Sequence, residues 1–346
     1  MASEAFETPE DDPADKWARR AARLVEQLPR LASADVGVTE SHAVHSENKL
    51  ELRRYGGEGT PLVVVYALVN RPYVLDLSPA RSVVRTLRTS SDVFLVDWGE
   101  PSPLDASLSL SDYVTRYLDD CVDAVRDRTG AERVDLLGYC MGGTMATMYA
   151  ALEPGKVRRL GQLAAPLAFD GAGGVLGRWG RAIDPRALAD HRGLVPADVL
   201  DACFRLMDPV ENYVTTYRRL LENVDDDAYV ERFGRVERWL RDGVDVPAAA
   251  FAEFVEECYR RDALRTGDLT LGGRRVDPSQ LTMPVAQVVG EGDTLVPPAA
   301  TREFADVVPG PVTAFEADVG HVGLAVSSAA HRDLWPRVAA WFAGGD

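Results

Sequence analysis

A cysteine stands in the middle of a short glycine-rich segment, Gly138–Gly143, which has the pattern G-x-C-x-G-G. Residues 133–137 (Arg-Val-Asp-Leu-Leu), which have the pattern of a short buried strand, precede this segment, and helix-forming residues follow it. This order predicts a strand, a tight turn and a helix, an arrangement that exposes a nucleophile above the edge of a sheet. The glycines would let the strand and the helix approach each other closely.

The thiol of Cys140 indicates which chemistry such a turn would favour. A cysteine acts as a nucleophile in its thiolate form, with the help of a nearby base. An acyl group on sulfur is still a thioester and keeps its transfer potential, whereas a serine ester would lose much of it. The residue type therefore favours an enzyme that passes an acyl group onward over one that hydrolyses it.

A base and a group that orients the base are found later in the chain. His321 lies between small residues after the last predicted strand, and Asp293 lies in a loop after the strand before it. Nucleophile, acid and histidine follow in this order in the α/β-hydrolase fold. We therefore predict a Cys140–Asp293–His321 triad, and we interpret the nearby Glu291 and Asp318 as solvated loop carboxylates.

Two backbone N–H groups complete the predicted site. In this architecture the oxyanion hole uses the N–H of the residue after the nucleophile and one from the loop after an early strand. Here these residues are Met141 and, within the loop 68–71, Val69.

The elements that would position these residues follow from the hydrophobic pattern. Continuously apolar runs alternate with amphipathic helices, which is typical of a parallel sheet with helices on both faces. The main predicted strands span 61–69, 92–98, 133–137, 159–165, 283–289 and 312–316. The sequence thus predicts an α/β-hydrolase fold with a mostly parallel sheet.

About a hundred residues between two predicted strands break this alternation, and their pattern is mainly helical. An insertion of this size at this position is typical of a lid or cap. We predict an N-terminal arm at 1–50, a first part of the core at 51–166, a cap at 167–281 and a second part of the core at 282–346.

The composition limits the possible functions. The formal net charge is −16, and 35 of the 38 basic residues are arginine. This acidity argues against nucleic-acid binding and fits a protein adapted to high salt, although an ordinary acidic protein remains the alternative interpretation. No apolar run is long enough to span a membrane, and the acidic start does not resemble a signal peptide, so we expect a cytoplasmic protein.

The four cysteines form no C-x-x-C pair, and no metal site is predicted. Apart from Cys140, they are interpreted as core or bystander thiols. They are Cys121, Cys203 and Cys258.

Six stretches together resemble the catalytic subunit of a polyhydroxyalkanoate synthase of the short, two-component (class III-like) type. The resemblance covers the chain from about residue 50 onward, and the G-x-C-x-G-G box combined with the V-N-R-P-Y loop is its most specific part. The stretches are Val65–Leu77, Val96–Gly99, Gly138–Gly143, Gly272–Asp277, Pro284–Pro298 and Gly320–Gly323 with Ser327 and Ser328.

The resemblance implies a function. A short-chain (R)-3-hydroxyacyl-coenzyme A, such as the 3-hydroxybutyryl thioester, would be polymerised through an acyl group on Cys140, with His321 as base and Asp293 as third member. Coenzyme A would be substrate and product, with no further cofactor. A homodimer, a separate non-catalytic subunit and attachment to polymer granules are also implied.

Substrate contacts are predicted less directly. Anionic coenzyme A must bind to an acidic protein, so a local arginine contact is expected. The candidate substrate-binding residues are Asn70, Arg71, Tyr73, Arg274 and Arg275.

Two other functions are compatible with the same fold. One is a thiol-dependent thioesterase or polyester depolymerase, which the cysteine at position 140 disfavours. The other is a non-catalytic assembly or granule-binding protein, which the intact set of nucleophile, base and acid disfavours.

Overall fold

The computed structural model, which describes residues 13–32 and 35–345, is built around one eight-stranded sheet. The spatial order of the strands is β1-β2-β4-β3-β5-β6-β7-β8, and β2 alone runs against its neighbours. The strands are β1 (His42–Glu47), β2 (Leu50–Gly56), β3 (Thr60–Val65), β4 (Ser91–Asp97), β5 (Val134–Tyr139), β6 (Val157–Leu163), β7 (Val285–Gly290) and β8 (Val312–Ala317).

All the predicted strands are present, and the central ones are buried on both faces. All six residues of β5 and all six of β7 are buried, as expected for central strands of a parallel sheet. Strands β1 and β2 are not among the strands predicted from the sequence, and β1 falls within the predicted N-terminal arm. Both are rich in polar residues and lie at one side of the sheet, so their apolar signal is weak.

Helices cover both faces of the sheet. A Cβ on Gly161 in β6 would contact Phe342, whereas the next side chain along the strand, Gln162, donates a hydrogen bond to Thr147. Because neighbouring residues of a strand point to opposite faces, the helices that carry Phe342 and Thr147 lie on opposite sides.

The α-helices differ greatly in length. They are α1 (Pro13–Ala32), α2 (Val83–Leu87), α3 (Leu110–Asp112), α4 (Leu118–Thr129), α5 (Met141–Leu152), α6 (Gly174–Ala182), α7 (Ala197–Met207), α8 (Thr216–Glu222), α9 (Asp227–Arg241), α10 (Ala248–Phe254), α11 (Ala263–Thr266), α12 (Pro298–Arg302), α13 (His321–Val326) and α14 (Trp335–Phe342). Wider π-type turns occur at Tyr113–Tyr117, Glu211–Thr215, Val255–Arg260 and Ala330–Leu334.

Shorter elements complete the chain. The 3₁₀ turns are Pro72–Leu75, Pro103–Asp105, Pro154–Lys156, Pro185–Leu188, Pro278–Gln280 and Glu303–Val307. Short strands pair Asp76–Ser78 with Arg81–Ser82, Leu194–Val195 with Val246–Pro247, and Thr270–Leu271 with Arg274–Arg275.

Helices α6–α11 lie between β6 and β7, in the range predicted to be the cap. Helix α1 contacts this region: Gln27 donates a hydrogen bond to the carboxylate of Asp227 over 2.7 Å, and Gly234 of α9 lies against the backbone of Leu31. The boundaries of the arm, core and cap stay predictions. None of the helices within the described residues has the length and apolar character needed to span a membrane.

Candidate functional site

Cys140 occupies a strained turn between β5 and α5. Its φ angle is +55° and its ψ angle −130°, a region that residues with a Cβ rarely adopt. The backbone N–H of Cys140 donates to the carbonyl of Leu163 over 2.9 Å, which ties the turn to the end of β6. The predicted strand, turn and helix are therefore present around this thiol.

The glycines of the G-x-C-x-G-G segment are required by close backbone contacts. A Cβ on Gly138 would lie 2.3 Å from the Cα of Gly143, and one on Gly142 would lie 2.3 Å from the carbonyl oxygen of Val65. Since real Cβ atoms do not approach this closely, only glycine fits these positions.

His321 and Asp293 meet behind this turn. The Nδ1 atom of His321, the first residue of α13, lies 2.7 Å from Oδ2 of Asp293. The other carboxylate oxygen, Oδ1, accepts hydrogen bonds from the N–H groups of Leu295 and Val296, over 2.9 and 2.8 Å. The carboxylate is thus fixed by its own loop and faces the imidazole.

Burial strengthens the interaction between these two side chains. The side chain of His321 is 9% exposed and that of Asp293 is 1% exposed, so little water screens their charges. Burial by itself lowers the pKa of His321, but the charge of Asp293, the charge of Cys140 and hydrogen bonds to both outweigh it and raise that pKa from 6.5 to about 10. The geometry thus favours an imidazolium beside the sulfur.

Tyr139 fixes the imidazole from a second side. Its ring stacks on that of His321 with centroids 5.1 Å apart and an interplanar angle of 19°. Its hydroxyl donates to the backbone carbonyl of His321 over 3.1 Å. Tyr139, the residue before Cys140, therefore also orients the ring of His321.

A cavity of about 770 Å³ lies above these residues and is lined by Cys140 and His321. Most of the lining is apolar or aromatic, and it comes from the sheet loops and from α6–α10. The aromatic lining includes Tyr66, Tyr139, Trp179, Phe204, Trp239 and Phe251. Asp293 does not line the cavity, so it is linked to it only through its contact with His321.

The predicted oxyanion-hole residues lie at this cavity. Both Met141, at the first position of α5, and Val69, after β3, are among the lining residues. The predicted substrate-binding residue Asn70 also lines it and adopts a left-handed conformation with φ +63°.

The structure does not bring the other four predicted substrate-binding side chains to the cavity lining. Arg71 pairs with Glu100 and Asp242, and the hydroxyl of Tyr73 donates to Asp242 over 3.1 Å. Their role in substrate binding stays a prediction without geometric support.

The two arginines of the short hairpin are also occupied. Arg274 bonds to the carboxylate of Glu153 over 2.6 Å, and Arg275 donates to the carbonyl of Gly267 over 2.6 Å. A basic side chain near a family motif therefore does not by itself predict a substrate contact, because its pairing with a carboxylate or carbonyl is not visible in the sequence.

Sequence reasoning missed the lining residues contributed by the cap and by the short strand at Arg81–Ser82. Arg81, Arg232 and Trp239 all line the cavity. None of them belongs to a motif whose residue types and spacing indicate a chemical role, so the sequence offered no signal for them. Within the described part of the chain, no group of three or more His, Cys, Asp or Glu residues is suited to hold a metal ion.

Comparisons with known proteins agree with this architecture. A family model described as "alpha/beta hydrolase fold" matches residues 60–326, which confirms the predicted fold class. Esterase E22 superposes with a TM-score of 0.53 at 12% identity and covers 85% of this chain and 93% of its own. A hydrolase from Pseudomonas aeruginosa PA01 superposes with a TM-score of 0.52 at 16% identity and covers 84% and 94%. These likenesses concern the fold alone.

Sequence relatives are more specific. The chain is 51% identical over 333 residues to the poly(3-hydroxyalkanoate) polymerase subunit PhaC of Haloferax mediterranei, covering 94% of this chain and 68% of that protein. It is 35% identical over 334 residues to the subunit of the same name in Allochromatium vinosum, covering 94% of each chain.

Proposed function

This chain belongs to the poly(3-hydroxyalkanoate) polymerase family, as a PhaC-type catalytic subunit, and we propose that it polymerises (R)-3-hydroxyacyl-coenzyme A into polyester. The proposed substrate is of short chain, such as the 3-hydroxybutyryl thioester, and the proposed intermediate is an acyl group on Cys140. The observation that carries the proposal is that Cys140 and His321 line one apolar cavity, with Asp293 hydrogen-bonded to His321 from outside it.

The first step loads the nucleophile. The Cys140 thiolate attacks the thioester carbonyl, and the carbon–sulfur bond to coenzyme A then breaks. The leaving thiolate takes the proton of the His321 imidazolium, which yields free coenzyme A and an acyl-enzyme. Because one thioester replaces another, this exchange is nearly isoenergetic. The N–H groups of Met141 and Val69 would stabilise the charge on the carbonyl oxygen.

The second step forms the ester bond. His321, now neutral, accepts the proton of the 3-hydroxyl of an incoming thioester, and the hydroxyl oxygen attacks the acyl group on Cys140. The bond from carbon to the cysteine sulfur breaks, and the lengthened chain is a coenzyme A thioester. Its transfer back to Cys140 releases coenzyme A, so each added unit forms one ester and frees one coenzyme A.

The apolar cavity supports transfer over hydrolysis. Water competes with the hydroxyl for the acyl-enzyme, so a polymerase must exclude it. Side chains from α6–α10 supply much of the cavity lining, and most of that lining is apolar, which fits this requirement.

We further propose that the chain works as a homodimer with a separate non-catalytic subunit, in the cytoplasm at the surface of polymer granules. The relatives from Haloferax mediterranei and Allochromatium vinosum are named as polymerase subunits, which supports the proposal of a partner. No cofactor beyond the coenzyme A of the substrate is proposed.

Coenzyme A release from (R)-3-hydroxybutyryl-coenzyme A, with product identification, tests the function. Wild type, Cys140→Ala and the matched control Cys121→Ala, which removes a buried thiol of α4, are compared with and without a candidate partner subunit. We expect polymer from wild type and the control and none from Cys140→Ala. Free 3-hydroxybutyrate in place of polymer would identify a hydrolase and overturn the proposal, as would polymer formation by Cys140→Ala.

A further inference from the structure

Two arginines line the cavity without a carboxylate partner. Arg81 donates to the carbonyl of Val326 over 2.6 Å and to the hydroxyl oxygen of Ser328 over 2.5 Å. The guanidinium of Arg232 lies over the ring of Tyr229, 4.6 Å from its centroid. Across residues 13–32 and 35–345, neither arginine forms an ion pair with Asp or Glu, although acidic side chains far outnumber basic ones.

Most of the carboxylates that line the same cavity are paired with a cation. Three of them pair with arginines of the cap, and a fourth, Asp208, accepts a hydrogen bond from the N–H of Glu211. The pairs are Asp201 with Arg205 (2.7 Å), Glu211 with Arg219 (2.6 Å) and Glu237 with Arg241 (3.5 Å). Two unpaired arginines thus stand against one unpaired carboxylate among these lining side chains, so their unpaired charge is net positive, in a protein whose net charge is strongly negative.

The two arginines also act on each other. Burial and the charge of Arg232 both lower the pKa of Arg81. Holding two like charges together at a half-buried site is unfavourable unless an anion offsets them. A guanidinium offers several N–H donors in a planar fork that matches phosphate oxygens.

We propose that Arg81 and Arg232, with the hydroxyl of Ser328, form the subsite for the phosphate groups of the coenzyme A thioester. This inference rests on the proposed function and names how its substrate is held. Arg81 is fixed at the last residue of α13, Val326, and the base His321 is the first. At a rise of 1.5 Å per residue these ends lie about 8 Å apart, so the anion subsite and the proposed base are at opposite ends of α13.

The subsite differs from the arginine contacts predicted from the sequence. Arg71 and Arg274 would have to give up the carboxylates of Glu100 and Glu153 before they could bind phosphate. Arg81 and Arg232 have no such competitor among the described residues.

Binding without turnover tests the subsite independently of catalysis. Calorimetry on Cys140→Ala measures the affinity for coenzyme A, dephospho-coenzyme A and pantetheine, which lacks phosphate. The same measurements follow on this background with Arg81→Gln, Arg232→Gln, and the control Arg126→Gln, which removes an equal charge from α4, outside the cavity. Melting temperatures verify that each variant is folded, and Arg81→Lys provides a variant that keeps the charge.

We expect each glutamine variant to bind coenzyme A about 10- to 100-fold more weakly, the range for one lost charged hydrogen bond. Arg81→Lys should lose less, Arg126→Gln less than about twofold, and pantetheine affinity should not change. Dephospho-coenzyme A shows whether the 3′-phosphate or the diphosphate is bound.

Equal coenzyme A affinity in the parent and both glutamine variants would overturn the subsite, and so would a parent that binds no coenzyme A. If wild type forms polymer but Arg81→Gln and Arg232→Gln leave coenzyme A binding unaffected, the subsite alone is refuted. If Arg81→Gln and Arg232→Gln weaken coenzyme A binding but the wild-type enzyme forms no polymer, the proposed function alone is refuted.

Discussion

At the scale of single residues, the carboxylate of Asp293 determines how strongly His321 holds its proton. Its charge and hydrogen bond contribute to the rise of the histidine pKa to about 10. Asp293→Asn should lower that pKa and reduce coenzyme A release by up to about 10⁴-fold, the effect of the equivalent change in a serine-protease triad. Steady-state rates and an NMR titration of His321 measure both effects.

Glu291→Gln is the matched control, because Glu291 lies in the same loop but pairs with Arg302 away from the histidine. It should change the rate less than about twofold, as expected for an exposed ion pair. A loss below tenfold in Asp293→Asn would contradict the assigned role.

The same interaction gives a pH dependence of stability. Since the pKa of His321 is raised from 6.5 in the unfolded chain to about 10, its contribution to the free energy of unfolding is complete below pH 6.5 and is lost as the pH rises through about 10. The stability difference between wild type and Asp293→Asn should therefore shrink over this window in denaturant titrations. A difference that grows with pH would show that the proton is held in another way.

The thiols should differ in reactivity for electrostatic reasons. Cys140 lies at the cavity beside its proposed base, His321, whereas burial raises the pKa of Cys121, Cys203 and Cys258. Iodoacetamide should therefore modify Cys140 first, and mass spectrometry of peptides sampled over time measures the order. Cys203 is the informative competitor because it lines the same cavity, and its earlier modification would contradict this assignment.

At the scale of elements, the contact between α5 and β3 depends on the absence of a side chain at Gly142. Its Cβ would meet the backbone oxygens of Val65 and Tyr66, at 2.3 and 2.5 Å, and neither can move independently of the sheet. Gly142→Ala should reduce the free energy of unfolding by about 1–3 kcal/mol, the usual effect of overpacking, and should displace Cys140. Gly155→Ala, with no atom near the added methyl, should leave urea denaturation and turnover nearly unchanged.

Helix α9 is tied to the loop that supplies the predicted oxyanion hole. The indole N–H of Trp239 donates to the carbonyl of Arg71 over 2.8 Å. Trp239→Phe removes that hydrogen bond. Because such a bond contributes about 0.5–1.5 kcal/mol, the equilibrium constant for closure of the cavity should fall by about 2- to 10-fold. The ratio of free hydroxy acid to polymer should rise accordingly, as chromatography of the products would show.

Trp341→Phe serves as control, because this tryptophan is buried in α14, outside the cavity. If both variants gave the wild-type product ratio, the tie between α9 and the loop would have no part in excluding water.

Elements with a strong local signal could be predicted from the sequence, and elements that depend on distant contacts could not. The continuously apolar strands and the G-x-C-x-G-G turn encode their own burial, so the core and the order of Cys140, Asp293 and His321 follow from short segments. Strands β1 and β2 contain polar residues among their apolar ones, so they have no strong local signal. They form strands only by pairing with the rest of the sheet. Whether an arginine is paired, as Arg71 is, or unpaired, as Arg81 is, depends on residues far away in the chain.

At the scale of the whole molecule, the excess of carboxylates makes stability depend on salt. With 54 acidic and 38 basic residues, 16 carboxylates remain uncompensated even if every basic group is paired. Salt weakens both this repulsion and the exposed ion pairs, but each such pair contributes only about 0–1 kcal/mol. The repulsion acts over the whole surface at low salt, where the Debye length is about 30 Å at 0.01 M, and is screened at 1 M, where it is about 3 Å.

We therefore expect the midpoint of thermal unfolding to rise steeply with KCl up to about 1 M, where screening is nearly complete. A rise that continues into the molar range would point to hydration of the acidic surface, as expected for a protein adapted to high salt, because little repulsion is left to screen. Sucrose at matched osmolality separates the charge effect from general exclusion of solutes. A midpoint that falls as KCl increases would mean that the ion pairs outweigh the repulsion, and would identify an ordinary acidic protein.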